Sequence, residues 1–207
     1  PESSAASDVY KRQMIYKSKL IEVLTGKNRG LLASKNHQKE ILAAIAQLED
    51  YNPNPHPLEA KELLNGNWRL IYTTSQDLLR IENFPLVKLG EIYQCIRVQD
   101  TAIYNIAEVS SLPFLEGIVS VVAQFEPVSE KRVNIKFNRS ILGLQRLIGY
   151  QSPNRLISEI ESGKKFTPID FNIQNREQKG WLDTTYLDEN LRIGRGNKRN
   201  VFVLIKV

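Results

Sequence analysis

Residues 132–139 read Arg-Val-Asn-Ile-Lys-Phe-Asn-Arg, in which apolar and polar side chains alternate strictly. Val133, Ile135 and Phe137 therefore fall on one face of an extended chain, and the polar residues fall on the other. A period of two predicts a β-strand with one buried face. An apolar run at 118–125 comes before it, and the turn-forming residues 126–130 between the two predict a β-hairpin.

The rest of the chain from Gly66 onward shows similar short apolar or alternating segments separated by turn-forming residues. Strands are predicted near 68–73 and at 91–98, 102–109, 181–187, 191–195 and 201–206, with a further short strand at 156–160. The segments 84–89 and 112–115 contain proline and are predicted to be loops or strand ends. Residues 141–150 fit either a short amphipathic helix or an apolar flap. Regularly spaced strands with turn signals between them predict an antiparallel barrel or sandwich.

The first third of the chain shows helical spacing instead. A short helix is predicted at 17–24, and a longer one follows Ser34 as its N-cap. The proline-rich residues 52–57 end it, and 58–64 form a short helical turn. We expect residues 1–13 to be a leader or an expression remnant, 14–65 a helical segment, and 66–207 the β domain. The predicted fold class is mainly β with N-terminal helices.

Composition is typical of a globular chain, since 42% of the 207 residues are hydrophobic and 25% are charged. The charge is uneven along the chain. Residues 1–130 carry 13 basic and 16 acidic side chains, whereas residues 131–207 carry 15 and 7. A basic C-terminal half indicates either an anionic partner, such as a lipid surface, or a solvated basic face. The basic residues lack interleaved aromatic side chains, so no nucleic-acid partner is expected.

Motifs for enzyme chemistry are missing from the sequence. It has no phosphate-binding glycine loop and no GxSxG nucleophile motif. The single cysteine, Cys95, excludes an intramolecular disulfide. His37 and His56 both fall in the helical segment, so neither a histidine-based catalytic site nor a metal site is expected in the β domain. No cofactor and no catalytic residue is predicted.

Asp183 is the carboxylate that calls for an explanation. It lies five residues before Asp188, a spacing that puts the two on opposite faces of an unbroken strand and argues against an acid–base pair. An inward Asp183 needs a partner because a lone buried charge is costly. Arg192 or Arg195 on the next strand is expected to supply one. A ligand-orienting role for Asp183, and a less favoured catalytic one, remain open.

Two motifs carry a resemblance to a known family. Residues 66–75 read GNWRLIYTTS and residues 180–196 read GWLDTTYLDENLRIGRG, followed by Val-Phe-Val-Leu at 201–204. These stretches, with Asn-Pro-Asn-Pro at 52–55, resemble the plastid lipid-associated proteins, also called fibrillins or plastoglobulins. The resemblance runs from about Ser34 to Val207. The chain around Met14 resembles a cyanobacterial member more than a plant precursor.

The resemblance implies a lipocalin-like antiparallel β-barrel without enzymatic activity, associated with thylakoid membranes or plastoglobules. It implies binding of lipids, quinones, carotenoids or fatty acids. In such barrels a first-strand tryptophan often stacks under a late arginine, which here would be Trp68 with Arg192 or Arg195.

A barrel of about eight strands can enclose one apolar molecule. We expect its interior to be lined by alternate residues of the first, middle and last strands. The predicted ligand-binding residues are Trp68, Leu70, Tyr72, Val133, Ile135, Phe137, Asp183, Tyr186 and Val203, with Val201 and Ile205 beside Val203. The alternative is a solid core, in which case the protein would be a structural coat or scaffold of thylakoids or lipid droplets with no internal ligand.

Overall fold

A computed structural model of the chain describes residues 2–79, 88–110, 115–167, 169–173 and 179–207. Its N-terminal segment is helical, with α1 at Glu2–Leu24, α2 at Lys35–Glu49 and the short α3 at Lys61–Leu64. Ser34 caps α2 as predicted: its hydroxyl accepts a hydrogen bond from the His37 N–H, and the His37 ring accepts one from the Ser34 N–H.

The described residues hold nine antiparallel strands. They are β1 (Gly66–Thr73), β2 (Lys88–Arg97), β3 (Ala102–Ser110), β4 (Gly117–Pro127), β5 (Arg132–Leu144), β6 (Ile169–Asn172), β7 (Lys179–Leu187), β8 (Leu191–Gly196) and β9 (Val201–Lys206). The pairing order is β4-β3-β2-β1-β9-β8-β7-β5-β6, and β4 also pairs with β5. That last pairing closes eight strands into a barrel, with β6 extending one side of β5. The predicted lipocalin-like fold class is confirmed.

The two ends of the barrel differ. At the closed end β1 begins, and the segment 58–64, including α3, packs against the interior. At the open end lie the short helices α4 (Gln76–Leu79) and α5 (Gln145–Ile148) and the 3₁₀ turn Asn197–Arg199. A barrel cluster fills the interior toward the closed end: Leu64, Trp68, Leu70, Leu89, Ile92, Ile96, Ile103, Ala107, Phe125, Val133, Leu182, Leu187 and Leu204.

Helices cover much of the outer surface of the barrel. α1 and α2 pack over β1, β7, β8 and β9 in a helix-side cluster: Leu20, Leu24, Ile41, Ala44, Ile45, Leu48, Tyr72, Tyr186, Leu191, Ile193, Val201 and Val203. α5 and a sixth helix, α6 (Pro153–Glu161), cover β2 to β5 through a separate cluster that includes Ile106, Ile141 and Leu156. Many strands are therefore apolar on both faces.

Some predicted elements are wrong in kind or extent. Residues 156–160 form part of α6 rather than a strand, because Ser152 caps a helix that starts with Pro153 and buries one apolar face. α1 begins well before the predicted residue 17. Residues 141–150 are divided between the end of β5 and α5, and β6 was not predicted. The predicted loops at 84–89 and 112–115 lie largely outside the described residues.

Candidate functional site

The barrel is hollow toward its open end. A cavity of about 400 Å³ lies there, within the range typical of small-molecule sites. Most of its wall is apolar. The lining residues are Leu70, Ser75, Leu78, Ile92, Tyr93, Gln94, Asn105, Val121, Ile135, Phe137, Gly180, Trp181, Leu182, Gly196, Asn197, Asn200, Phe202 and Leu204. A second cavity of about 390 Å³ adjoins it and shares two of these residues, Val121 and Phe137.

Of the predicted ligand-binding residues, Leu70, Ile135 and Phe137 line this cavity. Trp68 and Val133 also belong to the interior, but they lie in the packed barrel cluster below it. The Trp68 indole Nε1 donates to the Leu64 carbonyl at 2.9 Å, which ties β1 to α3. These two residues therefore form part of the floor under the cavity and do not belong to its wall.

Tyr72 and Tyr186 lie in the helix-side cluster, outside the cavity lining. Their predicted place in the interior is wrong because each strand contains a β-bulge. The register shifts between Leu70 and Tyr72 in β1, and between Thr184 and Tyr186 in β7. One extra residue moves every later side chain to the opposite face.

The prediction for β9 is wrong for another reason. Val201 and Val203 are buried under α1 and α2, and Ile205 packs against the same cluster. Phe202 and Leu204 line the cavity instead. Because both faces of this strand are apolar and covered, alternation alone does not tell which face points inward.

Asp183 lies outside the cavity lining and forms a structural ion pair. Its carboxylate accepts two hydrogen bonds from the Arg132 guanidinium, at 2.6 and 2.8 Å, and the same guanidinium lies 4.2 Å from the centre of the Trp181 ring. The expected partners, Arg192 and Arg195, are wrong. Arg132 and Arg195 both stand opposite Asp183, on β5 and β8, but only Arg132 binds it. Arg195 binds the Glu49 carboxylate of α2.

The stacking expected for Trp68 is present. The Arg192 guanidinium lies 5.3 Å from the centre of the Trp68 ring, within cation–π range. Arg192 is only 1% exposed, and burial lowers its pKa. Its Nη2 donates to the Gln94 side-chain oxygen. A buried cation thus lies next to the cavity, and Gln94, which lines the cavity, connects the two.

The candidate site residues that were not predicted from the sequence are two polar ones inside the barrel, Gln94 and Asn105. Gln94 follows Ile92 and precedes Ile96 at spacing two, and Asn105 stands in the same way between Ile103 and Ala107. Continuing the alternation of the strands predicted at 91–98 and 102–109 would have placed both amides inward. A polar side chain on an inward face was the available signal.

The remaining reactive groups have structural surroundings. Cys95 is buried, and burial raises the pKa of its thiol to about 12, so it is a poor nucleophile at neutral pH. His56 contacts the Glu130 carboxylate at 3.0 Å. Within the described ranges, no group of three or more His, Cys, Asp or Glu side chains is arranged to hold a metal ion. Among the helices of the described chain, none is long and apolar enough to cross a membrane.

Sequence comparison agrees with this barrel. The PAP_fibrillin sequence model matches residues 14–205. The chain belongs to the PAP_fibrillin family. The family relationship that the motifs at 66–75 and 180–196 indicated is thereby confirmed.

Relatives of this PAP_fibrillin chain include plant proteins. It is 37% identical to a chromoplast-specific carotenoid-associated protein of Cucumis sativus, over 97% of this chain and 69% of the relative. It is 39% identical to a chloroplastic light-induced protein of Solanum tuberosum, over 93% and 67%. It is 35% identical to plastid lipid-associated protein 1 of Brassica campestris, over 88% and 64%. No solved structure matches the chain.

Proposed function

We propose that this PAP_fibrillin protein binds an apolar small molecule, such as a lipid, quinone, carotenoid or fatty acid, inside the barrel without altering it chemically. The observation that carries the proposal is the cavity of about 400 Å³ with a mainly apolar wall at the open end. Burial of apolar ligand surface contributes about 25 cal/mol per Å². The names of relatives that are associated with carotenoids or plastid lipids support the same ligand class.

A cavity-filling variant tests this proposal. Ile135→Trp places a large ring in the cavity, and Val128→Trp places the same ring at an exposed turn of the closed end. With N-phenyl-1-naphthylamine as the fluorescent apolar probe, we expect the wild type and Val128→Trp to bind equally and Ile135→Trp to lose at least tenfold in affinity. Equal probe binding by all three proteins would place the apolar site elsewhere and refute the proposal.

We propose further that the open end contacts an anionic lipid surface, as at a thylakoid membrane or plastoglobule of a plastid or cyanobacterium. Two large apolar side chains near this end are exposed, Leu147 by 64% and Phe171 by 50%. The basic residues Arg146, Lys165 and Arg199 are exposed at the same end. Each basic side chain near such a surface contributes up to about 1 kcal/mol, so the cavity mouth would face the lipid.

Vesicle binding tests this orientation. Leu147→Asp is expected to weaken binding to phosphatidylcholine vesicles that contain phosphatidylglycerol, whereas Val128→Asp at the opposite end leaves binding unchanged. Added salt should weaken the wild-type interaction, since it screens charge. If neither Leu147→Asp nor added salt changes the affinity for vesicles, the open end is not the membrane-contacting surface. Vesicle binding without any probe binding would favour a coat protein with no internal ligand.

A further inference from the structure

The interior of the barrel contains one connected set of polar side chains. Arg192, Gln94 and Asn105 face inward from β8, β2 and β3, and the cavity wall around the two amides is mainly apolar. Arg192 donates to Gln94, and Gln94 in turn donates from Nε2 to the Asn105 Oδ1 at 3.0 Å. Gln94 stands opposite Trp68 in the β1–β2 register, so the set lies where the packed cluster ends and the cavity begins.

The chemistry of these groups fixes their direction. An arginine can only donate hydrogen bonds, so Gln94 must turn its oxygen toward Arg192. Its amide nitrogen then faces Asn105, which must present its own oxygen. At the cavity end of the series, the described residues provide no hydrogen-bond partner for the Asn105 amide nitrogen. At the other end the Arg192 Nε also has no partner, but it is fully buried. Because Asn105 lines the cavity, its amide donor is available to a ligand.

The positive electrostatic field of Arg192 points the same way as this hydrogen-bond series, toward the cavity. Arg192 is buried, and among the described residues no carboxylate forms an ion pair with it. Desolvation of an unpaired cation is costly. An oxygen acceptor at the inner end of the cavity would reduce that cost, since the positive field is transmitted through the aligned amide dipoles of Gln94 and Asn105.

We propose that the cavity selects an apolar chain that carries a terminal oxygen acceptor, either a carboxylate or a carbonyl, and that this chain enters with the acceptor first. The acceptor oxygen binds the Asn105 side-chain N–H, and the hydrocarbon part lies along the apolar wall toward the open end. This inference rests on the proposed function, which requires only that the cavity accept an apolar molecule.

Three probes of similar length separate the two claims: dodecanoate, 2-tridecanone and tetradecane. Binding is followed by intrinsic tryptophan fluorescence, to which Trp181 in the cavity lining and Trp68 in the floor below it both contribute. We expect both oxygen-bearing probes to bind the wild type at least about tenfold more tightly than tetradecane, as the loss of one hydrogen bond in an apolar site predicts. Tighter binding of dodecanoate than of the ketone identifies a carboxylate as the acceptor, and equal binding identifies a neutral carbonyl.

Matched variants locate the selectivity. Asn105→Leu is expected to bring dodecanoate and ketone binding close to that of tetradecane, whereas Asn200→Leu, the same change elsewhere in the cavity lining, keeps the preference. Asn105→Asp keeps the size of the side chain and is expected to reject dodecanoate while still binding tetradecane. An equal loss of preference in Asn105→Leu and Asn200→Leu would overturn the proposal.

The failure modes are distinct. Wild-type protein that binds all three probes with the same affinity contradicts the acceptor-first inference and leaves the apolar site intact. Wild-type protein that binds none of them contradicts the proposed function itself. Retention of tetradecane binding by the variants shows that the cavity still folds, so any lost preference is then specific to the acceptor.

Discussion

The buried contact between Arg192 and Gln94 allows a double-mutant test of what holds the interior together. Gln94→Met removes the hydrogen-bond acceptor of a guanidinium that is 1% exposed. A hydrogen bond to a charged group contributes about 1.5–3 kcal/mol, and a buried cation left without it keeps its full desolvation cost. We therefore expect Gln94→Met to lower the free energy of unfolding by about 2–3 kcal/mol.

Adding Arg192→Met should reverse this loss. The second change gives up the cation–π contact with Trp68, which contributes about 2 kcal/mol when desolvated. It removes a buried charge whose desolvation costs several kcal/mol, and it buries a methionine side chain that contributes about 1.5–3 kcal/mol. The gains exceed the loss, so the double variant is expected to be at least about 1 kcal/mol more stable than Gln94→Met alone.

Urea unfolding of ligand-free protein at neutral pH, followed by far-UV circular dichroism, measures these differences, provided the slope with urea stays constant. Ile92→Met, at the neighbouring inward position of β2, is the control, because a volume-conserving swap costs less than about 1.5 kcal/mol. A double variant less stable than Gln94→Met would refute the reasoning. It would mean that stacking on Trp68 outweighs desolvation and that Arg192 serves the fold.

Three other perturbations follow from local geometry. Arg139 donates twice to Asp170 and holds the pKa of that carboxyl below its ordinary value of 3.8. Asp170→Asn should therefore lower the free energy of unfolding in urea by about 2 kcal/mol at pH 7, and this stability difference from the wild type should shrink as the pH falls below 3.8. A cost independent of pH would contradict the ion pair. Ser34→Ala should lower thermal stability by about 1 kcal/mol through loss of the α2 cap, and an unchanged melting temperature would show that the cap is dispensable. Gly30 and Gly26 both have positive φ, but a Cβ at Gly30 would lie 2.6 Å from a backbone oxygen, whereas one at Gly26 meets nothing within 4 Å. Gly30→Ala should therefore be clearly less stable than Gly26→Ala, which costs about 1 kcal/mol. Equal losses of stability in urea unfolding would exclude the steric contact at Gly30.

Much of the barrel could be predicted from alternation, because its strands are short and separated by turn residues. β9 matches its predicted bounds, and β5 begins at the predicted Arg132. Residues 156–160 were mistaken for a strand because a short apolar run fits both periods, and the capping by Ser152 was not weighed. The exposed β6 has too few buried residues to produce a pattern.

The candidate site could be predicted less well, for reasons of geometry. No β-bulge comes before Leu70 in β1 or before Ile135 and Phe137 in β5. The inward face of these three residues therefore follows from the alternation of the strand alone. Tyr72 and Tyr186 come after bulges, which no periodicity reveals. Asp183 has its partner on β5, a neighbour in space that is distant in sequence. Closure between strands far apart in the chain is what pattern analysis cannot supply.

The packed floor and the hollow space above it are built from opposite ends of the same strands. Trp68 anchors the floor two residues before Leu70 reaches the cavity. Asn200, by contrast, lines the cavity without belonging to the packed cluster, so we expect substitutions at such positions to change the cavity wall at little cost to folding. The packed floor maintains the fold, so the cavity lining of this barrel can diverge in sequence while the fold is kept.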